Sequence, residues 1–121
     1  MKKKILITDD DPGVQDVFRI IFERAGYDVN VSADAKCILE NTFDHPDVIV
    51  LDRHLSGLDG LDICRFLKGK KETCNIPVIM VSATPGIDQM ARLAGAEDFV
   101  EKPFLMQDLL ATVGRWANIH H

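Results

Sequence analysis

The sequence contains no long apolar segment, no closely paired cysteines and no excess of basic residues. No apolar run approaches the roughly 20 residues that span a bilayer, and the lysines near the N-terminus lead into a run too short for a signal peptide. Cys37, Cys64 and Cys74 show no C-x-x-C spacing, so we predict free thiols and no metal-thiolate site. These absences predict a chain that binds no membrane and resides in the reducing cytoplasm.

The charge balance argues against direct binding to nucleic acid. The net charge is −5, whereas nonspecific nucleic-acid binding depends on Lys and Arg that neutralise phosphates. The basic clusters at Lys2–Lys4 and Lys68–Lys71 are interpreted as exposed positions. With 46% apolar residues and no internal repeat or linker, residues 1–121 are predicted to form one domain. His120 and His121 are assigned no function.

Apolar runs alternate with segments of helical periodicity along the whole chain. The predicted strands are Ile5–Thr8, Asp28–Ser32, Asp47–Leu51, Pro77–Val81 and Phe99–Val100. The predicted helices are Pro12–Ala25, Ala33–Phe43, Leu61–Lys68, Ile87–Leu93 and Leu105–Trp116. Five such alternations predict an α/β fold, a doubly wound (βα)5 unit with a parallel sheet covered on both faces. Right-handed crossovers are expected between the strands.

Chemically active side chains follow four of the predicted strands. Asp9 and Asp10 follow the first strand, Asp52 the third, Ser82 the fourth and Lys102 the fifth. Sites in open parallel sheets form outside the carboxyl ends of the strands. The acidic residues, the hydroxyl and the lysine are therefore predicted to converge at one edge of the sheet.

Carboxylates gathered in this way repel each other unless a proton or a cation is bound. Oxygen ligands favour Mg²⁺, which also binds phosphate oxygens and keeps several waters. A lysine and a hydroxyl supply further contacts to phosphoryl oxygens. The set of residues therefore indicates phosphoryl transfer with a carboxylate as nucleophile.

Each of these residues also has a purely structural interpretation. Asp9 and Asp10 could cap the helix that follows, and Asp11, which is nearer to that helix, is predicted to be its N-cap. Asp52 alone could be an ordinary loop residue, and the hydroxyl and the lysine are common singly. Their joint placement, each at the end of a strand, favours a shared site.

The motifs ILITDDDP, DVIVLD, SGLDGLD, IPVIMVSA and GAEDFVEKPF occur in this order and cover nearly the whole chain. In them the sequence resembles the response-regulator receiver family of bacterial two-component signalling. The resemblance implies a phosphorylation switch with a five-stranded sheet in the flavodoxin-like order 2-1-3-4-5. A histidine kinase or histidine phosphotransfer protein would donate the phosphoryl group, and an output domain or partner protein would receive the signal. Such a domain takes part in its own phosphorylation and dephosphorylation but is not otherwise an enzyme.

The resemblance also implies residue roles. Asp52 would accept the phosphoryl group and would ligate Mg²⁺ together with Asp9, Asp10 and the backbone carbonyl of His54. Lys102 would pair with the phosphoryl oxygens.

Further roles concern activation and the lifetime of the phosphorylated state. Ser82 would contact the phosphoryl group and shift towards it, and Phe99 matches the aromatic switch position. The peptide bond before Pro103 is expected to be cis. His54 and Thr84 would flank the path of the hydrolytic water, and we expect slow hydrolysis because a bulky His54 blocks that path.

Several positions depart from the common family pattern. Ser56 stands where a proline is usual, and Arg53 and His54 follow the acceptor where other residues are more common. The stretch from Ser82 to Gly95 is short, so a short fourth helix is predicted.

Three other classes of protein share part of this pattern. A haloacid-dehalogenase-type phosphatase needs a second aspartate two residues after the nucleophile, where this chain has His54. A flavodoxin-like electron carrier has the same fold, but three aspartates after the first strand would repel a flavin phosphate. A degenerate receiver acting as a constitutive protein-binding module normally lacks an acidic residue, the acceptor or the lysine, and this chain retains them all.

Overall fold

A computed structural model of the chain describes residues 2–40, 43–55 and 57–118, so Ser56, His120 and His121 lie outside the described residues. The strands are β1 (Lys4–Thr8), β2 (Asp28–Ser32), β3 (Val48–Asp52), β4 (His54–Leu55), β5 (Leu58–Asp59), β6 (Val78–Ser82) and β7 (Asp98–Glu101). The helices are α1 (Pro12–Arg24), α2 (Lys36–Leu39), α3 (Gly60–Lys68), α4 (Ile87–Leu93) and α5 (Met106–Ala117).

Five strands form one parallel sheet in the order β2-β1-β3-β6-β7. Apart from the short β4 and β5, this is the predicted order 2-1-3-4-5, and the predicted flavodoxin-like fold is confirmed. The register pairs Thr8 with Leu51, Asp52 with Val81, and Ser82 with Glu101. The carboxyl ends of four strands are therefore level at one edge of the sheet.

Alternate residues of the central strands pack on opposite faces of the sheet. On β3, Val48 and Val50 pack with α1 and α5, whereas Ile49 and Leu51 pack with α2, α3 and α4. Every residue of β3 and β6 is buried. A strand covered on both faces needs an unbroken apolar run, which explains why these two segments could be recognised in the sequence.

Helix α1 begins as predicted. Asp11 is its N-cap, and the Asp11 Oδ1 atom accepts hydrogen bonds from the backbone N–H groups of Gly13 (2.8 Å) and Val14 (3.4 Å). Pro12 occupies the first helical position, where its missing N–H group costs nothing. The structural interpretation of the acidic cluster therefore holds for Asp11.

The predicted helix over Ala33–Phe43 is wrong in extent, since α2 contains only Lys36–Leu39. Two side chains compete with the helix for its first N–H groups: Ser32 Oγ accepts from Ala35 N at 3.2 Å, and Asp34 Oδ1 accepts from Lys36 N at 3.0 Å. Ala35 itself has a left-handed backbone with φ 59°. The helix can begin only after this turn.

Two short segments lie beside the site. The predicted short fourth helix is confirmed, because α4 has 7 residues. Strands β4 and β5, which the sequence analysis did not predict, form an antiparallel hairpin in which His54 pairs with Asp59 and Leu55 with Leu58.

The three cysteines, Cys37, Cys64 and Cys74, form no disulfide with one another. Burial raises the pKa of the Cys64 thiol to about 11. Within residues 2–40, 43–55 and 57–118, no helix combines the length and the apolar character needed to cross a membrane.

Candidate functional site

Asp52 is the last residue of β3 and is buried, with 7% of its surface exposed. Its backbone N–H group donates to Thr8 Oγ1 at 3.3 Å, and the same hydroxyl donates to the Val50 carbonyl at 3.3 Å. Thr8 therefore ties the end of β3 to β1. The Asp52 Oδ1 atom accepts a hydrogen bond from His54 N at 3.1 Å, which orients the carboxylate.

Lys102 reaches the other oxygen of the same carboxylate. Its ammonium group lies 2.8 Å from Asp52 Oδ2, and about a third of the lysine side chain remains exposed. The backbone N–H group of Lys102 donates to the Ser82 carbonyl at 2.8 Å, which holds the lysine just beyond the end of β7. The peptide bond between Lys102 and Pro103 is cis, as expected. Two residues 50 positions apart in the sequence thus form an ion pair at the predicted edge.

Asp9 is the second buried carboxylate at this edge, with 4% of its surface exposed. Burial raises its pKa, and the adjacent Asp52 carboxylate raises it further. A hydrogen bond from Asp11 N and the charge of Lys102 act in the opposite direction. The Asp11 N–H donates to Asp9 Oδ1 at 2.9 Å. Burial and the neighbouring Asp52 carboxylate therefore both favour the protonated form of Asp9.

Asp10 is exposed beside this pair and lines an open cleft together with His54 and Asp59. The His54 side chain is also exposed. Within the described residues, no three His, Cys, Asp or Glu side chains are arranged so that they could hold a metal ion by themselves. Mg²⁺ is usually held by one or two carboxylates, waters and phosphate oxygens. The carboxylates of Asp9, Asp10 and Asp52, beside a cleft open to solvent, fit such an ion.

Ser82 lies at the carboxyl end of β6 and is buried, with 1% of its surface exposed. Its Oγ atom accepts a hydrogen bond from Thr84 N at 3.0 Å. Because a hydroxyl group can both accept and donate, Ser82 can also donate a hydrogen bond to another acceptor. The Thr84 residue itself is half-buried. Phe99 pairs with Met80 across β6 and β7 and is half-buried against the α2–α4 side of the sheet.

Residues to which the sequence analysis assigned no role support the backbone of the site. Gly60, the first residue of α3, donates to the Arg53 carbonyl at 2.6 Å. The Gln15 side-chain amide donates to the Asp9 carbonyl at 2.5 Å. Arg53 Nε is buried without a hydrogen-bond partner and lies 3.6 Å from Asp59 Oδ1. Gly60 lies in the SGLDGLD motif and Arg53 was noted as a departure from the family pattern, whereas Gln15 left no signal in the sequence.

An open, mostly apolar cleft borders the ion pair. It has a volume of about 670 Å³ and lies between the first turns of α1 and the segment after β7. Val14, Val17 and Phe104 line it, and Lys102 forms one end. Val17 is 50% exposed. The cleft therefore presents an exposed apolar surface next to Lys102.

Comparison with known proteins supports the family resemblance that the sequence motifs indicate. The response regulator receiver domain family matches residues 5–114. The chain is 34% identical over 116 residues to the DNA-binding response regulator MtrA of Mycolicibacterium smegmatis, covering 93% of this chain and 50% of that protein. It is 38% identical over 113 residues to the DNA-binding dual master transcriptional regulator RpaA of Synechocystis, covering 91% of this chain and 47% of that protein. The chain thus spans about half the length of these relatives.

A solved structure with the same fold contains a metal. It is the receiver domain of the sensor histidine kinase PA1611 from Pseudomonas aeruginosa, with a magnesium ion coordinated in its active-site cleft. The TM-score is 0.86 and the sequence identity is 26%. The superposition covers 98% of this chain and 100% of the PA1611 domain.

Proposed function

The chain belongs to the response regulator receiver domain family and is a phosphoryl-accepting signalling switch; on that premise we propose that Asp52 is the acceptor. The observation that carries the proposal is the ion pair between Asp52 Oδ2 and Lys102 Nζ at 2.8 Å. A buried carboxylate whose one oxygen faces an ammonium group is oriented for attack as a nucleophile.

The transfer converts a phosphohistidine into a phosphoaspartate. A carboxylate oxygen of Asp52 forms a bond to phosphorus, the bond from phosphorus to the histidine nitrogen breaks, and that nitrogen keeps the electron pair and takes up a proton from solvent. Lys102 donates to the phosphoryl oxygens that replace its present partner, and the Ser82 hydroxyl donates to another. Catalysis in such a transfer is mostly positioning and charge stabilisation, which these residues supply.

Mg²⁺ is the cation that we propose for this site. Asp9, Asp52 and Asp10 would hold it, together with the backbone carbonyl of His54. When bound, the ion neutralises charge on the carboxylates and on the phosphoryl oxygens. The proposal is supported by the raised pKa of Asp9 and by the magnesium ion in the PA1611 receiver domain.

The donor that we propose is a histidine kinase or a histidine phosphotransfer protein. Such a protein must bring an imidazole ring to Asp52, and the apolar cleft beside Lys102 offers a contact surface on that path. A degenerate, constitutive binding module is not favoured, because Asp9, Asp52 and Lys102 are all present and adjacent.

The output of the switch belongs to a larger assembly. MtrA and RpaA are DNA-binding regulators of about twice the matched length. We therefore propose that an attached output domain or a separate partner protein receives the signal, while residues 1–121 form the receiver domain and do not themselves bind nucleic acid. The net charge of −5 supports this division. The cytoplasm, where a kinase can reach the domain, is the proposed location.

Phosphorylation by a small donor tests the acceptor directly. The protein would be incubated with acetyl phosphate and Mg²⁺, and the phosphoryl group would be located by mass spectrometry. We expect a single phosphoaspartate at Asp52, none in Asp52→Asn, and a rate lowered at least tenfold in Lys102→Met. Substantial phosphorylation of Asp52→Asn would show that the acceptor is a different residue.

A further inference from the structure

One carboxylate, outside the phosphorylation site, joins the beginning of β7 to the end of α5. The Asp98 Oδ1 atom accepts a hydrogen bond from the Phe99 backbone N–H group at 2.9 Å. The Asp98 Oδ2 atom accepts one from Trp116 Nε1 at 3.0 Å and one from Arg115 at 3.4 Å. The Asp98 side chain is only 17% exposed, so its bonds are partly shielded from water.

The two main partners of Asp98 pack on opposite faces of the sheet. Phe99 is half-buried against the cluster under α2, α3 and α4. Trp116 is half-buried against the cluster under α1 and α5. Because the Phe99 partner is the backbone N–H group of the next residue, the Asp98 Oδ1 bond holds the carboxylate against the backbone of β7. Its other oxygen reaches Trp116, so Asp98 is a direct link between the backbone of β7 and α5.

The same strand ends at the phosphorylation site. Strand β7 has 4 residues, and Lys102 follows it directly. At about 3.3 Å per residue, Asp98 lies roughly 13 Å from Lys102 along the strand. Strand β7 also lies at the edge of the sheet, so β6 is its only neighbouring strand. A displacement of Lys102 towards a phosphoryl group can therefore shift the whole short strand.

We infer that Asp98 is a positioning residue that couples the state of the phosphorylation site to the last turn of α5, with Trp116 as the group that responds. This inference rests on the proposed function, since it needs Asp52 to be the acceptor. Arg115 contributes little, because its side chain is 66% exposed and its bond is long.

Trp116 makes this link measurable, since it is the only tryptophan in the sequence. Its fluorescence would be recorded while beryllofluoride, a noncovalent mimic of the phosphoryl group, is titrated in the presence of Mg²⁺. We expect a saturable change in wild type and no change in Asp52→Asn. Calorimetry would give the dissociation constant independently of fluorescence. Failure of beryllofluoride to bind wild type, or equal binding to Asp52→Asn, would refute the proposed function rather than the coupling.

Variants of the link then separate coupling from ordinary stabilisation. We expect Asp98→Ala to lose the fluorescence response while still binding beryllofluoride, with a dissociation constant changed about three- to tenfold. Trp116→Phe should change that constant by a similar factor, because coupling free energies are reciprocal. The double variant should resemble either single variant, since both remove the same link. Arg115→Gln is the matched control and should keep the wild-type response.

Two results would overturn the coupling. One is a wild-type protein that binds beryllofluoride without any change in Trp116 fluorescence. The other is a double variant whose dissociation constant changes by the product of the two single effects, which would mean that Asp98 and Trp116 act independently. Urea unfolding of each variant would confirm that the protein is folded under the conditions of the titration.

Discussion

An alanine at position 60 would place a methyl group against the backbone of the phosphoryl acceptor. A Cβ atom on Gly60 would lie 2.4 Å from the Asp52 carbonyl oxygen and 2.9 Å from the Arg53 Cα atom. Both are backbone atoms, so no change of rotamer can relieve the contact. Because ordinary contacts begin near 3.4 Å, the Asp52 carbonyl would have to move by about 1 Å.

The Gly60→Ala substitution is expected to affect the phosphorylation rate more than the free energy of unfolding. Overpacking of this kind costs about 1–3 kcal/mol, and the better helix propensity of alanine returns at most about 1 kcal/mol. The free energy of unfolding should therefore fall by about 1–2 kcal/mol. A displacement of about 1 Å in a positioned reacting group can cost about 100-fold in rate. The 2.8 Å contact between Asp52 and Lys102 depends on that position.

The assay compares two glycine variants that differ in their surroundings. Gly114 lies within α5, and a Cβ atom there meets only the Tyr27 hydroxyl at an ordinary 3.8 Å. Gly114→Ala should therefore raise the free energy of unfolding by about 0.5–1 kcal/mol and leave the phosphorylation rate unchanged. Urea unfolding and the rate with acetyl phosphate would be measured for both. A Gly60→Ala protein with wild-type rate and stability would refute this account of the acceptor loop.

Three other predictions concern the acidic residues and the lifetime of the phosphoryl group. Mg²⁺ should raise the melting temperature of wild type, and Asp10→Asn should be more stable without metal but lose most of that response, as calorimetry can test. Without metal, the raised pKa of Asp9 means that the folded state binds more protons than the unfolded state. Stability should therefore fall as the pH rises from about 3.8 through that raised pKa, and urea midpoints of Asp9→Asn should lack this fall. Phosphorylated His54→Asn/Thr84→Glu should lose its phosphoryl group faster than wild type; an equal rate would exclude the proposed blocking by His54.

The parts of the fold that could be predicted are those with repeated signals. The runs at β3 and β6 are apolar at every position because both faces of those strands are covered, and this pattern is independent of any single contact. The N-cap of α1 was predictable because Asp11 acts on backbone groups two and three residues away. Both kinds of signal are local in the sequence.

The structure that could not be predicted depends on single contacts. Each strand of the hairpin at His54–Asp59 has 2 residues, which is too short for any periodicity. The late start of α2 results from two side-chain hydrogen bonds at Ser32 and Asp34, residues that also occur at ordinary helix starts. A pattern cannot distinguish these outcomes, because the same residues favour both.

In the candidate site, the residues that react could be predicted from the sequence, whereas the residues that hold them in place could not. Asp52 and Lys102 could be paired from the sequence, because parallel strands of known order bring their carboxyl ends to one edge. Thr8, Gln15 and Gly60 act through one or two hydrogen bonds or one close approach, and each residue type has many other uses. The distance of 2.8 Å between the acceptor and its lysine therefore depends on residues that the chemistry of the site does not require. Variants of these supporting residues should lower the phosphorylation rate without removing any group that touches the phosphoryl oxygens.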